Sequence, residues 1–136
     1  MTYEEAFEKI WNGLKSQGFE KSVDNEISTR CMYRSQTPDG KPLKCAAGWL
    51  IPDEDYDPQF EDKTIEELIE LELLPEEFCE EDFYSDYAWR SFLNDMQSAH
   101  DIAETQDEMK RRLIKAGIKH TTKSAVERIT GEKIYA

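Results

Sequence analysis

Cys45 and His100 are the residues of this sequence whose side chains best suit covalent chemistry. Cys45 follows Lys44 and opens a short apolar run, and both a neighbouring cation and a helix N-terminus favour a thiolate. His100 is the candidate base, and Glu104 or Gln97 would orient its ring, because residues three or four apart share one helix face. The alternative interpretation is a small buried cysteine beside a hydrogen-bonded core histidine, since no known cysteine-hydrolase signature surrounds Cys45.

Cysteine usage argues against a metal or disulfide framework. The chain has three cysteines, an odd number, and none of them forms a CxxC pair. Cys31, Cys45 and His100 are a candidate ligand set, but their separations match no standard zinc spacing and a fourth ligand is missing. We therefore predict no metal and no other cofactor, and a reducing cytoplasm suits these cysteines best.

Acidic residues are concentrated in the middle of the chain. Residues 1–50 carry seven acidic and seven basic side chains, residues 51–108 carry 21 and two, and residues 109–136 carry two and eight. The three segments have formal charges of 0, −19 and +6 within the net charge of −13. An acidic surface can imitate the phosphates of DNA and occupy the groove of a nucleic-acid-binding protein. The alternative is an acidic face that only interacts with solvent.

The candidate binding residues are acidic side chains of this middle segment. They are Asp53, Asp55, Asp57, Glu61, Glu66, Glu70, Glu76, Glu77, Glu80 and Glu81. The alternation at positions 53, 55 and 57 is similar to a calcium loop, but Pro58 stands where an EF-hand needs glycine. A solvated turn is therefore expected there, not a calcium site.

Basic residues flank the acidic segment on both sides. Arg30, Arg34 and Lys44 precede it and are candidate anion contacts for a small molecule or a nucleotide. The basic end at residues 105–136 fits a helix-turn-helix poorly when Gly117 is placed at the turn, so direct binding to nucleic acid is not expected. Its simpler interpretation is a helical hairpin whose cations neutralise the acidic middle of the chain.

Local patterns predict a mainly helical fold. Capping boxes at Thr2, Thr64 and Thr105 and apolar residues at helical spacing predict most of the helix starts. The predicted helices run from Thr2 to Gly18, Thr64 to Leu74, about Ser85 to Ala103, Thr105 to Gly117 and about Thr122 to Thr130, with a further short helix opened by Pro75. The turn residues at 37–41 predict a β-hairpin, and Cys45–Ile51 is either part of its second strand or a short buried helix.

These elements define the fold class. We predict an α+β, mainly helical single domain over residues 1–136, with five or six short helices around a small β-hairpin. Residues 105–136 form a basic helical extension of this domain. The predicted core residues are Phe7, Ile10, Trp11, Leu14, Trp49, Leu50, Leu68, Trp89, Phe92, Leu93 and Met96.

The sequence has no feature typical of membrane proteins. No apolar run approaches the roughly 18 residues of a membrane span, and the N-terminus lacks the basic and apolar regions of a signal peptide. We therefore expect a cytoplasmic protein with no membrane partner. The sequence does not predict an oligomeric state.

Several short motifs together resemble a known group of proteins. They are Cys31-Met-Tyr-Arg34, Lys44-Cys-Ala-Ala-Gly48, Leu50-Ile-Pro-Asp-Glu54 and His100-Asp101. Over residues 1–104 the chain resembles a group of small phage and prophage proteins that share the run Lys-Cys-Ala-x-Gly-x-Leu-Ile-Pro-Asp-Glu. The resemblance implies a phage setting in a host cytoplasm, where small accessory proteins often inhibit host defence systems.

The leading hypothesis is a non-enzymatic acidic binding protein of phage type that acts as a DNA mimic. Its partner would be a host nucleic-acid-handling or defence protein, whose basic surface it would occlude. A cysteine-dependent hydrolase or transferase using Cys45 and His100 is the first alternative. A small-molecule or nucleotide binder using Arg30, Arg34 and Lys44 is the second.

Overall fold

Helix α1 (Tyr3–Ser16) begins at the predicted capping box. The computed structural model describes residues 1–24, 31–78 and 83–134, with the backbone alone for residues 83–88. The Thr2 hydroxyl accepts the Glu5 N–H, and the Glu5 carboxylate accepts the Thr2 N–H, both at 3.1 Å. Gly18 then adopts a φ of +69°, which ends the helix as predicted.

The predicted β-hairpin is confirmed. Strand β1 (Arg34–Gln36) pairs antiparallel with β2 (Pro42–Lys44), and Ser35 lies opposite Leu43. A short 3₁₀ helix, Ala47–Leu50, follows the hairpin and resolves the ambiguity over residues 45–51 in favour of a helix. Glycine is required at position 48, because a Cβ there would lie 2.2 Å from the Tyr33 carbonyl oxygen. The 3₁₀ helix can therefore pack directly on the backbone that enters the hairpin.

The acidic segment forms short helical turns. Two 3₁₀ helices, Asp53–Asp55 and Pro58–Asp62, precede helix α2 (Ile65–Glu70), which starts at the predicted capping box of Thr64. The prediction that this helix extends to Leu74 was wrong. It ends at Glu70 with Leu71 as its C-cap, and a last 3₁₀ turn, Glu76–Phe78, follows Pro75.

Three helices complete the chain: α3 (Phe83–Ile102), α4 (Gln106–His120) and α5 (Lys123–Thr130). The Thr105 and Thr122 hydroxyls cap α4 and α5, and Gly131 ends α5 with a φ of +74°. The predicted stop at Gly117 was wrong, because α4 continues through it. A Cβ at Gly117 would lie 2.8 Å from the Phe7 ring, so this glycine allows α1 and α4 to approach closely.

The core lies where α1, α3 and α4 meet the 3₁₀ helix at residues 47–50. Every predicted core residue is buried except Trp49, which is half-buried and packs against the core. Five α-helices and one two-stranded hairpin occupy the described ranges, so the predicted single-domain α+β class is confirmed. Within those ranges, every helix is too short or too polar to cross a bilayer.

Candidate functional site

Buried hydrogen bonds connect the C-terminal half of α3 to two distant loops. The His100 ring is fully buried, and its Nε2 atom accepts the Ser22 backbone N–H at 3.0 Å. Its Nδ1 atom lies 2.7 Å from Oδ1 of Asp101. The Gln97 side chain donates to the same oxygen at 2.9 Å and accepts the Ala47 backbone N–H at 3.0 Å. Two lines of hydrogen bonds, each starting at a backbone N–H group, therefore converge on Asp101.

The backbone partner determines the tautomer of His100. A backbone N–H group can only donate, so Nε2 of the ring must present its lone pair to Ser22. The ring proton is then on Nδ1 and is donated to the Asp101 carboxylate. Both ring nitrogens therefore have hydrogen-bond partners within the chain.

Cys45 lies in the same interior but is not a partner of the His100 ring. Its side chain is fully buried, and the Gly48 backbone N–H donates to Sγ at 3.3 Å. Burial raises the pKa of the Cys45 thiol to about 12, and the Gly48 N–H offsets only part of that effect. The thiol is protonated at neutral pH, which is typical of a structural cysteine.

Asp101 orients the His100 ring, so the choice of Glu104 or Gln97 for that role was wrong. Glu104 is exposed beyond the end of α3, and Gln97 contacts Asp101 instead of the ring. Adjacent residues of a helix point about 100° apart, which is why spacing alone did not select Asp101. The adjacent His-Asp pair was the signal that could have identified it.

A cleft of about 450 Å³ opens beside this network. Its three walls are residues 31–33 before the hairpin, residues 61–65 at the start of α2, and residues 94–102 of α3. The Asp101 carboxylate and the Cys31 thiol line it together. Burial, followed by the negative charge of Asp101, raises the pKa of Cys31 to about 11, so this thiol is also protonated at neutral pH.

Cys31, His100 and Asp101 place three potential metal ligands within 4.8 Å of one another. Cys45, which completed the ligand set considered from the sequence, is not among them. A metal at Nδ1 of His100 would shift the ring proton to Nε2, where it would face the Ser22 N–H donor. Metal binding would also require a thiolate at Cys31, whose raised pKa opposes it. The donor set therefore does not fit a metal ion.

Glu61, which the sequence predicted as a docking residue, accepts hydrogen bonds from its own chain. Its two carboxylate oxygens accept the backbone N–H groups of Tyr33 at 2.8 Å and Arg34 at 3.1 Å. The Tyr56 hydroxyl also donates to Oε2 of Glu61. This half-buried carboxylate thus connects the entry to the hairpin with the 3₁₀ helix Pro58–Asp62.

The candidate anion contacts Arg34 and Lys44 are occupied by an acid of the same chain. The Arg34 guanidinium lies 2.9 Å from Oδ1 of Asp53, and the Lys44 amine lies 3.5 Å from the same oxygen. The charges of Lys44 and Arg34 lower the pKa of Asp53. Arg34 also donates to the Ile51 carbonyl at 3.0 Å. The third candidate, Arg30, lies outside the described residues.

Four acidic side chains line one groove, called the acidic groove below. The groove has a volume of about 470 Å³, and its apolar lining includes the Phe60 and Leu74 side chains, which are buried. Its acidic lining residues are Asp55, Asp57, Glu72 and Glu76. All four are exposed, and among the described residues none of them forms an ion pair. The groove therefore presents negative charge that no cation among the described residues neutralises.

The other predicted acidic residues differ in their environments. Glu66 and Glu70 are exposed one turn apart on α2 and pair with no described cation. Glu77 lies 3.0 Å from the N-terminal amino group. Glu80 and Glu81 lie outside the described residues. The acidic segment is therefore neither one uniform face nor a set of intrachain ion pairs.

Glu72 has an unusual backbone conformation for a residue with a side chain. Its φ is +54°, in the left-handed region that favours glycine. The Glu72 N–H donates to the Ile69 carbonyl at 3.1 Å, and the Leu73 N–H donates to the Leu68 carbonyl at 2.9 Å, which closes the end of α2. A glycine would fit this turn at lower cost, yet the chain places a carboxylate there, in the acidic groove.

Basic residues of α4 and α5 pair with acidic residues that lie outside the acidic groove. Their ion pairs are Lys119 with Asp95 at 2.8 Å, Arg112 with Glu108 at 3.0 Å, and Arg128 with Glu4 at 3.3 Å, and Nε2 of His120 lies 2.7 Å from the same Asp95 oxygen. The predicted neutralisation of the acidic middle is thus seen at Asp95 and Glu108, whereas the acidic groove keeps its charge.

Known proteins supply no template for interpreting these sites. No protein-family model, no curated protein and no solved structure matches this chain. The function must therefore be inferred from the geometry and charge of the chain itself.

Proposed function

We propose that this chain is a non-enzymatic binding protein whose acidic groove docks onto the basic surface of a protein that handles nucleic acid. The observation that supports this function best is the acidic groove itself. Asp55, Asp57, Glu72 and Glu76 surround one depression and pair with no described cation. The resemblance to small phage proteins suggests that the partner is a host protein, such as a defence enzyme.

Occlusion is the mechanism that this arrangement favours. A basic protein surface that binds DNA recognises closely spaced phosphate charges, and a row of carboxylates presents a comparable charge density. The net charge of −13 would steer the chain towards such a surface over distances near the Debye length. Once docked, the chain would occupy the position of the nucleic acid, and salt would weaken the complex.

The lining of the groove supports docking by more than charge alone. The half-buried Leu73 and Pro75 side chains add apolar lining to the groove. Protein interfaces commonly combine an apolar centre with a polar rim, which excludes water from the central contacts. The unfavourable backbone conformation of Glu72 is also typical of positions that are retained for function.

The cysteine-based alternative receives no comparable support. A nucleophilic Cys45 would need a base, but both nitrogens of His100 are bound to Ser22 and Asp101. Burial also keeps the Cys45 thiol protonated, since its pKa is about 12. The arrangement thus favours structural roles for both residues.

The test is affinity capture from a host lysate with the wild type and two matched triple variants. The groove variant carries Asp55→Asn, Glu72→Gln and Glu76→Gln. The control variant carries Asp107→Asn, Glu8→Gln and Glu132→Gln, which remove the same charge from exposed positions outside the groove. We expect the wild type and the control to capture the same nucleic-acid-binding protein at low salt and to release it at high salt.

The groove variant should capture much less of this protein. Equal capture by the two triple variants would contradict the proposal, because net charge alone would then explain binding. Capture that is insensitive to salt would contradict it as well, since charge contacts would not hold the complex.

A further inference from the structure

Among the described residues, the cleft beside Asp101 shares no lining residue with the acidic groove, and its lining combines neutral polar side chains with charged ones. Its volume of about 450 Å³ lies within the range of small-molecule sites. The Asn94 amide and the Ser98 hydroxyl line the α3 wall, and their side chains make no hydrogen bond to another described residue. Two polar side chains without a partner among the described residues thus line a space large enough for a ligand.

Among the described residues, no lysine or arginine forms an ion pair with the Asp101 carboxylate. Its carboxylate accepts hydrogen bonds at Oδ1 from Gln97 and His100, both of them neutral groups. Lys21 is close, but its amine donates to the main-chain oxygen of Asp101 at 2.7 Å and not to the carboxylate. No Lys or Arg in the described ranges forms an ion pair with that carboxylate, which is 36% exposed. The Cys31 thiol also lies beside this carboxylate, and no described N–H group reaches its second oxygen, Oδ2.

The other charged groups of the cleft are engaged with their own chain. Both oxygens of Glu61 accept hydrogen bonds from backbone N–H groups, as described above. The Lys63 amine donates to the Gln59 carbonyl at 3.2 Å. With Asp101, these residues give the described part of the lining a formal charge of −1. A cation would therefore be favoured in the cleft over an anion.

We propose that this cleft binds a guanidinium or ammonium group, with Asp101 as its counterion. The Asn94 carbonyl and the Ser98 hydroxyl would accept further N–H groups, and guanidinium matches such a planar set of acceptors best. The group can belong to a free small molecule or to an arginine or lysine side chain of a protein. The proposal is independent of the acidic groove and of any partner that binds there.

Titration of the full chain with L-arginine, followed by backbone amide chemical shifts, tests this site. L-citrulline is the control ligand, because it has nearly the same shape without the positive charge. We expect arginine to shift the amides of Asn94, Ser98 and Asp101, and citrulline to have little effect. A blocked Gly-Arg-Gly peptide tests whether the guanidinium group comes from a protein side chain or from a free small molecule. Tighter binding of the peptide would indicate a protein side chain, and tighter binding of free arginine would indicate a small molecule.

Two matched variants separate the cleft from the rest of the surface. Ser98→Leu fills the cleft, whereas Ser124→Leu places the same side chain at an exposed position of α5. We expect Ser98→Leu to abolish the arginine shifts and Ser124→Leu to leave them unchanged. Asp101→Asn should weaken binding on the order of tenfold, as loss of one charged partner does. Equal shifts with citrulline, undiminished binding in Ser98→Leu, or no shift at millimolar arginine would overturn the proposal.

Discussion

Carboxylates of the same chemistry have opposite roles in two regions of this chain. In the interior, Glu61 lies half-buried and accepts hydrogen bonds from backbone N–H groups 27 and 28 positions away in the sequence. Asp55, Glu72 and Glu76 lie exposed in the acidic groove and pair with no cation in the described part of the chain. The comparison shows that the high acidic content serves two purposes, because some carboxylates satisfy buried donors while others remain available to a partner.

The largest expected effect comes from removing an interior carboxylate. Glu61→Ala leaves the backbone N–H groups of Tyr33 and Arg34 without their acceptor. Each hydrogen bond to a charged group contributes roughly 1.5–3 kcal/mol, so the free energy of unfolding should fall by about 3 kcal/mol or more. Urea denaturation measures this change. Glu66→Ala, at an exposed site on α2, is the matched control and should have little effect. A similar decrease in the free energy of unfolding for both variants would contradict the stabilising role of the interior carboxylate.

The interior thiol predicts how stability depends on pH. The pKa of Cys45 is raised from 9.0 to about 12 in the folded chain, so above pH 9 the unfolded state loses this proton first. Stability is therefore unaffected by this group below pH 9 and decreases as the pH rises towards 12. The decrease is about 1.4 kcal/mol for each pH unit at most. Urea denaturation at several pH values should show a shallower decrease for Cys45→Ala than for the wild type, and parallel decreases would contradict the burial of this thiol.

Glu72 allows stability and binding to be separated at one residue. Glu72→Gly relieves the left-handed backbone conformation and should stabilise the fold by about 1 kcal/mol. The same change removes a groove carboxylate, so capture of the basic partner should weaken. Glu72→Gln, the matched control, should weaken capture without gaining stability. A loss of stability in Glu72→Gly would show that this carboxylate supports the fold, as Glu61 does.

The smallest effect on stability is expected for the groove triple variant. Asp55, Glu72 and Glu76 accept no hydrogen bond from a described side chain, so their neutral analogues remove no stabilising contact. Thermal unfolding of this variant should nearly match that of the wild type, while capture of the partner falls. A clear decrease in its melting temperature would contradict the inference that these three carboxylates do not stabilise the fold.

Local sequence signals predicted most of the fold. The threonine caps at positions 2, 64, 105 and 122 begin helices because each hydroxyl accepts a backbone N–H that the helix leaves unpaired. The errors came from long-range packing. Gly117 is typical of a helix end, but here it permits contact with Phe7, which lies 110 positions earlier in the chain. No local pattern carries that information.

The candidate sites were less predictable for the same reason. His100 was correctly identified as a hydrogen-bonded core histidine under one of two interpretations, but its partner Ser22 is 78 positions away. Gln97 contacts Ala47 across 50 positions, and Glu61 contacts Tyr33 across 28. Acidic composition identified the charged segment, yet only tertiary structure separates Glu61 from the exposed carboxylates of the acidic groove.

Competition with DNA tests the central claim most directly. The captured partner would be purified, bound to fluorescently labelled duplex DNA, and titrated with the wild type, the groove variant and the charge-matched control variant. Occlusion by the acidic groove predicts that the wild type and the control release the DNA, while the groove variant does not. Release by the groove variant at the same concentration as by the control, or binding of the wild type to the partner without release of DNA, would contradict it.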